Sequence, residues 1–293
     1  MANKEFGVIS NPEFLQESTA MRDTIYPHVV VLGGYDTQFM RKSQRFFSNL
    51  HKNTPIIKTN HQTAEMIKYT NNSFLATKIS FINQIASVCQ NVKGANVDDV
   101  ARVIGMDPRI GNLFLNAGPG YGGSCLPKDV KAMMNFSKKI GVEPLLLNAV
   151  EKSNVRQIEQ IITIIKKTCG NLEGKKITIL GLSFKPNTND IRDSISLEII
   201  KKLLRKKADI IVHDPMAIEN VKKIFKDKIE YSTLISKALC DSYCAIILTA
   251  WPEYQKISNK DLRYMRKRII IDSRRILNQK SLNCNYLAVG LGK

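Results

Sequence analysis

No apolar run in this sequence approaches the roughly 18 residues that a membrane-spanning helix needs. The opening Met1-Ala-Asn-Lys-Glu-Phe is polar with no apolar stretch behind it, so no secretory signal is expected. Paired cysteines are lacking as well. The six cysteines, at 89, 125, 169, 240, 244 and 284, lie far apart. Cys240 and Cys244 are four apart, but no second pair or histidine accompanies them, so no metal site is expected and a reduced, cytoplasmic chain is the simplest reading. Acidic charge is scarce: 26 Asp and Glu face 44 Lys and Arg, a formal net charge of +18. The basic residues are spread along the chain and no aromatics are interleaved with them. The densest run, Lys201-Lys-Leu-Leu-Arg-Lys-Lys207, alternates with leucines as a solvated helix face does. Neither nucleic acid nor a membrane is therefore expected as a partner; a basic polyanion-binding protein is the outlying reading. An acidic part of the protein lying outside this chain is a second source of the imbalance.

What is present is an ordinary globular composition. The 293 residues, 43% hydrophobic and 24% charged, are enough for two domains and a sizeable core. One stretch stands apart: Asn116-Ala-Gly-Pro-Gly-Tyr-Gly-Gly-Ser-Cys-Leu-Pro-Lys-Asp129, with four glycines and two prolines in fourteen residues. It reads as a loop whose backbone turns tightly or lets something approach closely. Gly122 and Gly123 put Cys125 on a turning backbone just before a helix that Pro127 can open. A helix N-terminus and Lys128 both favour the thiolate, which is the nucleophilic form.

The elements read in order as follows. Glu5–Ser10 is a short strand, and Asn11-Pro12 opens a helical turn on which Glu13 and Glu17, four apart, share a face. His28–Gly33 is a buried strand, Asp36–Leu50 a helix and Pro55–Thr59 a strand, so residues 1–59 form a partial α/β segment. From Gln62 a helical pattern runs through Cys89; Lys68 and Asn72 are neighbours on one face, and an Asn inside a helix hints at a task. Further helices over Asn96–Val103, Lys128–Ile140 and Pro144–Thr168 make 60–168 an all-helical middle layer, and its long last helix suits a dimer seam. Residues 169–293 read as a Rossmann-like, doubly wound parallel sheet with strands at Lys175–Leu182, Ala208–Asp214, Cys244–Thr249 and Arg268–Asp272 and a helix at Ser194–Lys206. Its first strand ends Gly181-Leu-Ser-Phe-Lys185. Phe184 and Lys185 stand where glycines would admit a dinucleotide pyrophosphate, so a different nucleotide is expected at the carboxyl ends of these strands.

The run Gly122-Gly-Ser-Cys-Leu-Pro-Lys-Asp129 resembles the active-site signature of the nucleotide-sugar 6-dehydrogenases, the UDP-glucose/GDP-mannose dehydrogenase family. Other stretches resemble that family in its own order: Asn11-Pro-Glu-Phe-Leu-Gln-Glu17, Ala64-Glu-Met-Ile-Lys-Tyr-Thr-Asn-Asn72, Lys185-Pro-Asn-Thr-Asn-Asp-Ile-Arg192 and Asp272-Ser-Arg274. The resemblance implies Cys125, Lys68, Asn72, Asp129 and Glu13 as catalytic residues. It implies substrate contacts from Phe14, Leu15, Arg109, Asn116, Tyr121, Gly122, Phe184, Lys185 and Arg274, and cofactor contacts from Glu17, Lys128 and Arg192. Arg109 is implied to reach the neighbouring active site across a homodimer built on the central helices.

The implied reaction is an NAD-dependent four-electron oxidation of UDP-glucose to UDP-glucuronate through a cysteine thiohemiacetal and thioester. Asp107-Pro-Arg-Ile-Gly111 and Gly118-Pro-Gly-Tyr-Gly-Gly123 resemble the UDP-glucose members more than the GDP-mannose ones. No strand, glycine turn, helix and ribose-binding acid occur in that order near the start. The expectation is therefore that the chain lacks the N-terminal NAD-binding region, that 1–59 is its remnant, and that a separate polypeptide or the uncut gene supplies the cofactor site. GDP-mannose oxidation and a catalytically silent nucleotide-sugar-binding fragment are the alternatives.

Overall fold

The computed structural model describes residues 6–292. It separates into two compact units, Met1–Phe74 and Leu75–Lys293, and the division falls within one long helix. The expected strand at Glu5–Ser10 begins outside the described residues; within them, only Ser10 pairs, exchanging two 2.8 Å backbone hydrogen bonds with Gly33.

In the first unit, β1 (Val30–Gly33) and β2 (Ile56–Thr59) pair in parallel, Val30 opposite Ile56 and Gly33 opposite Thr59. The helix α2 (Thr37–Leu50) crosses between them, and the carboxylate of Asp36 caps it by accepting from Gln38 N and Phe39 N. Val30, Leu32 and Met40 form its small core, with Ile9, Phe47 and Ile56 packed on. The helix α1 is later than expected, at Ala20–Ile25. The segment from Asn11 stays extended because Asn11 Nδ2 donates to Val31 O at 2.8 Å, holding it along β1. Glu13 turns its carboxylate back onto its own backbone, accepting from Leu15 N at 2.6 Å. Glu13 and Glu17 therefore do not share a helical face.

The helix α3 (His61–Gln90) is the long helix in which the division falls. The second unit continues with α4 (Val97–Gly105), α5 (Leu126–Lys139) and α6 (Leu145–Cys169). Asn96 caps α4 through Asp98 N, and Pro127 sits in the first turn of α5, where its missing N–H costs nothing. A six-stranded parallel sheet follows: β3 (Lys176–Leu180), β4 (Asp209–His213), β5 (Glu230–Tyr231), β6 (Cys244–Ile247), β7 (Ile269–Asp272) and β8 (Asn285–Ala288). Its order is β5-β4-β3-β6-β7-β8. The inner strands are mostly apolar because helices cover both faces, and the buried Thr178 of β3 donates its hydroxyl to Ala238 O; α7 (Ile195–Leu204) buries Ile199, Ile200 and Leu203 against one face. The sequence pattern misses α8 (Ile218–Phe225), α9 (Ile235–Leu239), α10 (Asn259–Leu262), β5 and β8, all short.

The strand order reverses between β3 and β6, which makes the crevice outside their carboxyl ends the place where such sheets take ligands. The turns at Gly181–Ser194, Leu248–Trp251 and Ser273–Leu277 meet there. Buried Asp214 fixes the first of them. Its Oδ2 accepts from Leu182 N, Ser183 N and Trp251 Nε1, while its Oδ1 accepts from Met216 N and Ala217 N.

Candidate active site

Cys125 is exposed and immediately precedes α5, and its thiol makes no capping hydrogen bond. Ser124 Oγ lies 3.6 Å from its Sγ. One turn on, Asp129 is buried; its amide donates to Cys125 O at 2.9 Å and its Oδ1 meets Lys128 Nζ at 2.5 Å. A thiol, a carboxylate and an ammonium thus share the first turn of one helix.

The loop leading to Cys125 is held by amide side chains that the sequence pattern gave no reason to single out. Gly118 N donates to Asn83 Oδ1 at 2.8 Å, and Gln157 Nε2 donates to Gly118 O at 2.7 Å. Asn154 bonds both the N–H and the C=O of Tyr121. The only available signal was that Asn154 and Gln157 stand three apart on α6, hence on one face. Tyr121 itself is buried and donates its hydroxyl to Glu151 Oε2 at 3.2 Å. Burial first, and the Glu151 carboxylate second, push that hydroxyl's pKa well up, so it stays protonated. Tyr121 is consequently a loop anchor, with its ring packed beside Ala76, Val130 and Val150.

The two adjacent glycines are required by close approach. A Cβ on Gly122 would lie 2.2 Å from Asp193 O, and one on Gly123, whose φ is +82°, would lie 2.6 Å from the Phe184 ring. Gly123 N donates to Arg192 O at 3.0 Å. The cysteine loop is thereby fastened to the turn after β3. Lys185 lies over the Phe184 ring at 5.3 Å, and Arg192 forks onto Asp190, Nη2 to Oδ2 at 2.6 Å.

Beside this loop, Arg274 lines a cavity of about 300 Å³ with Ile79, Asn83, Leu113, Phe114, Asn116 and the glycines 118 and 120. Arg274 Nε donates to Leu248 O at 2.7 Å and its amide to Asp272 Oδ1 at 3.0 Å. Burial lowers its guanidinium to about 10, against the pull of Asp272, so it remains a cation at neutral pH. No carboxylate forms a salt bridge with it among the described residues, so its Nη donors suit an anion. Arg109 is placed elsewhere: 87% exposed in the turn after α4, it pairs with Asp107 at 2.6 Å and does not line this cavity.

In the first unit, Lys68 Nζ donates to Glu13 O at 2.7 Å and to Glu13 Oε1 at 3.1 Å, and lies 5.7 Å from the Phe14 ring centre. Glu13, Phe14 and Leu15 line a cavity of about 480 Å³ with Tyr26, His28 and His51. Glu17 is exposed and outside that lining. Asn72 is buried on α3, its Oδ1 accepting from Asn71 Nδ2 at 3.3 Å. Among the described residues no cluster of three His, Cys, Asp or Glu could hold a metal ion, and no helix is long and apolar enough to cross a membrane.

An exposed cysteine at a helix start, fastened by its loop to the switch point of a parallel sheet, defines an α/β protein of doubly wound class with an accessible thiol beside the crevice. Known proteins narrow this. Residues 62–156 match the central-domain model of the UDP-glucose/GDP-mannose dehydrogenase family, 178–279 its UDP-binding-domain model and 1–53 its NAD-binding-domain model. UDP-glucose 6-dehydrogenase TuaD of Bacillus subtilis is 40% identical over 292 residues, covering 98% of this chain and 62% of that protein. UDP-glucose 6-dehydrogenase of Rickettsia bellii is 39% identical, covering 97% and 67%. A UDP-glucose dehydrogenase structure from Pyrobaculum islandicum superposes with a TM-score of 0.88 at 33% identity, covering 97% of this chain and 64% of that one. The chain belongs to the UDP-glucose/GDP-mannose dehydrogenase family, and spans 62% to 67% of the length of these curated relatives.

One expectation is corrected by the match to the NAD-binding-domain model. The chain does not lack that region: residues 1–53 belong to it. These residues carry a parallel strand–helix–strand unit, β1-α2-β2, of the kind dinucleotide folds repeat, without the glycine turn that marks the first such unit in a sequence. The glycines ending β1 are packed shut: a Cβ on Gly33 would meet Ala64 at 2.5 Å, and one on Gly34 would meet Ile9 at 2.8 Å. They let the end of β1 pack closely against its neighbours.

Proposed function

We propose that this chain carries the thiol and nucleotide-sugar machinery of an NAD-dependent UDP-glucose 6-dehydrogenase. The observation that supports it most is the joining of Cys125 and Asp129 to the Arg274 cavity through one loop, pinned at Gly118, Tyr121 and Gly123. Arg274 suits the diphosphate side of a nucleotide, and Phe114 and Ile79 offer apolar walls to its base. Phe184, Lys185, Asn116 and Gly122 border the same loop and are assigned to the sugar nucleotide; Phe14 and Leu15 are assigned to it on the family pattern.

Cys125 is the nucleophile. The C6 carbinol of the sugar loses a hydride and a proton to give an aldehyde. Cys125 Sγ adds to that carbon, forming a thiohemiacetal, and loss of a second hydride leaves a thioester. Water then displaces the thiol and releases the uronate. NAD would supply the hydride acceptor, one molecule for each of the two hydrides, bound in succession. Asp129 is suited to hold or take up a proton one turn from the thiol. Lys68 and Asn72 are assigned to the oxyanion by the family pattern; Lys68 keeps one N–H beyond its two bonds to Glu13. Glu17, Lys128 and Arg192, all exposed, are assigned to the cofactor side.

A homodimer is part of the reading. Phe81 and Val88, seven apart on α3, are 52% and 53% exposed, an apolar stripe suited to a helix seam. Light scattering on the purified chain tests it; a monomer at micromolar concentration would remove it. The functional reading is tested by isothermal titration with UDP-glucose, GDP-mannose and NAD in turn. Saturable UDP-glucose binding, weakened by Arg274→Ala, is expected. Tighter binding of GDP-mannose would move the chain to the other branch of the family, and no heat with either sugar nucleotide would sink the proposal.

A further inference from the structure

Two arginines stand side by side after β7. Arg274 faces the cavity beside the cysteine loop. Arg275 turns elsewhere: its Nε donates to Asp98 Oδ2 at 2.6 Å, its Nη2 to Asn96 Oδ1 at 2.6 Å and its Nη1 to Val289 O at 2.8 Å. Its side chain is 10% exposed, so this is a well-buried guanidinium with most of its donors committed. The partners come from two places, the capped start of α4 and the segment after β8. That segment is itself fastened to the α4 start, with Val97 N donating to Gly290 O at 3.0 Å and Gly292 N to Ala95 O at 2.9 Å.

The backbone at Arg275 is unusual. Its φ is +56°, in the left-handed region that costs a non-glycine residue of order 1 kcal/mol or more. Glycine or asparagine would suit that turn better. The residue there is an arginine, and its side chain is locked at three points. The consequence for its neighbour is geometric. Fixing Arg275 on α4 fixes the backbone from which Arg274 projects, together with the bond from Arg274 N to Asp272 Oδ1, and the Nε bond to Leu248 O then holds the Arg274 side chain.

We infer that Arg275, with Asp98 as its counter-ion, is a positioning residue that aims Arg274 at the nucleotide phosphates and thereby ties nucleotide affinity to the start of α4. This rests on the reading of Arg274 as a nucleotide contact. It makes Asp98, exposed on a helix of the middle layer, a determinant of binding at a cavity whose lining it does not join.

The test is a double-mutant cycle read by titration with UDP on the whole chain. Arg275→Gly relieves the backbone strain and removes the clamp. Asp98→Ala removes the charged one of the three clamp points and leaves the turn untouched, which keeps the test valid should the glycine variant fold poorly. Each is expected to weaken UDP binding about tenfold, the scale of one or two lost charge-assisted hydrogen bonds. In an Arg274→Ala background neither is expected to weaken it further, because the clamp acts through Arg274. Two results overturn the inference alone: wild-type affinity in both single variants, or an equal loss with and without Arg274. Failure of the unaltered chain to bind UDP, or indifference of binding to Arg274→Ala, overturns the nucleotide reading as well.

Discussion

Asn154 closes both hydrogen bonds of a single residue's backbone: its Oδ1 accepts from Tyr121 N at 2.9 Å and its Nδ2 donates to Tyr121 O at 3.0 Å. A side-chain amide has the same donor and acceptor pair as a peptide group, so Asn154 stands in for a neighbouring strand that the loop does not have. The fit is tight on the side of Gly120, where a Cβ would lie 2.5 Å from Asn154 Oδ1.

Asn154→Ala is therefore expected to destabilise the chain by about 1–3 kcal/mol, the cost of leaving buried backbone groups unpaired. Denaturant unfolding measures this. UDP-glucose affinity should fall together with stability, whereas a loop held mainly by its glycines would leave affinity unchanged.

Gly123→Ala places a methyl group against the Phe184 ring on a backbone of positive φ. A loss of roughly 2 kcal/mol in stability is expected from clash and strain together. Adding Phe184→Ala should recover part of it, since only the clash is relieved. No recovery would mean that backbone conformation accounts for the whole effect.

Thiol exposure separates the six cysteines. Cys125 and Cys240 are exposed, Cys284 is half-buried, and Cys89, Cys169 and Cys244 are buried. Brief alkylation followed by mass spectrometry should label the first two ahead of the rest. Saturating UDP-glucose should protect Cys125 and leave Cys240 unchanged; equal protection of both would argue against a sugar nucleotide beside Cys125.

His213 gives the fold a pH dependence. It is buried at the end of β4, its Nδ1 3.0 Å from Tyr254 Oη, and burial lowers its pKa against the opposing pull of Asp214. The folded state thus binds the proton less readily than the unfolded chain does. The stability due to neutral His213 is present above the unfolded value of about 6.5 and is lost as pH falls below it. Urea midpoints should drop between about pH 7 and pH 5. His213→Gln should flatten that part of the slope; an unchanged slope would locate the titration elsewhere.

Much of this fold can be read directly from the residues. The apolar runs Ala245–Leu248 and Ile269–Ile271 have no polar alternation, as expected of strands buried on both faces. Asp36 and Asn96 mark their helix starts by chemistry alone. The helix expected after Pro12 fails because propensity is local and the Asn11–Val31 bond is not. The same limit hides Asn83, Gln157 and Asp214. Each is a polar residue whose importance lies in a partner more than 30 positions away, and no periodicity reports such a pairing. The cysteine loop was conspicuous because its glycines are dense, while the residues that shape it are dispersed.

The two-stranded ladder of the first unit has one further consequence. Ser10 and Asn11 cover the outer side of β1. Among the described residues no strand pairs with β2 on its far side. Its peptide groups form a template on which another extended segment could add. Ile57 is 48% exposed on that strand, and the neighbouring Lys58 supplies the charge that discourages such growth. Aggregation by strand addition, distinct from pairing through the α3 stripe, has its natural starting point at the four residues of β2, and one ammonium group stands guard over them.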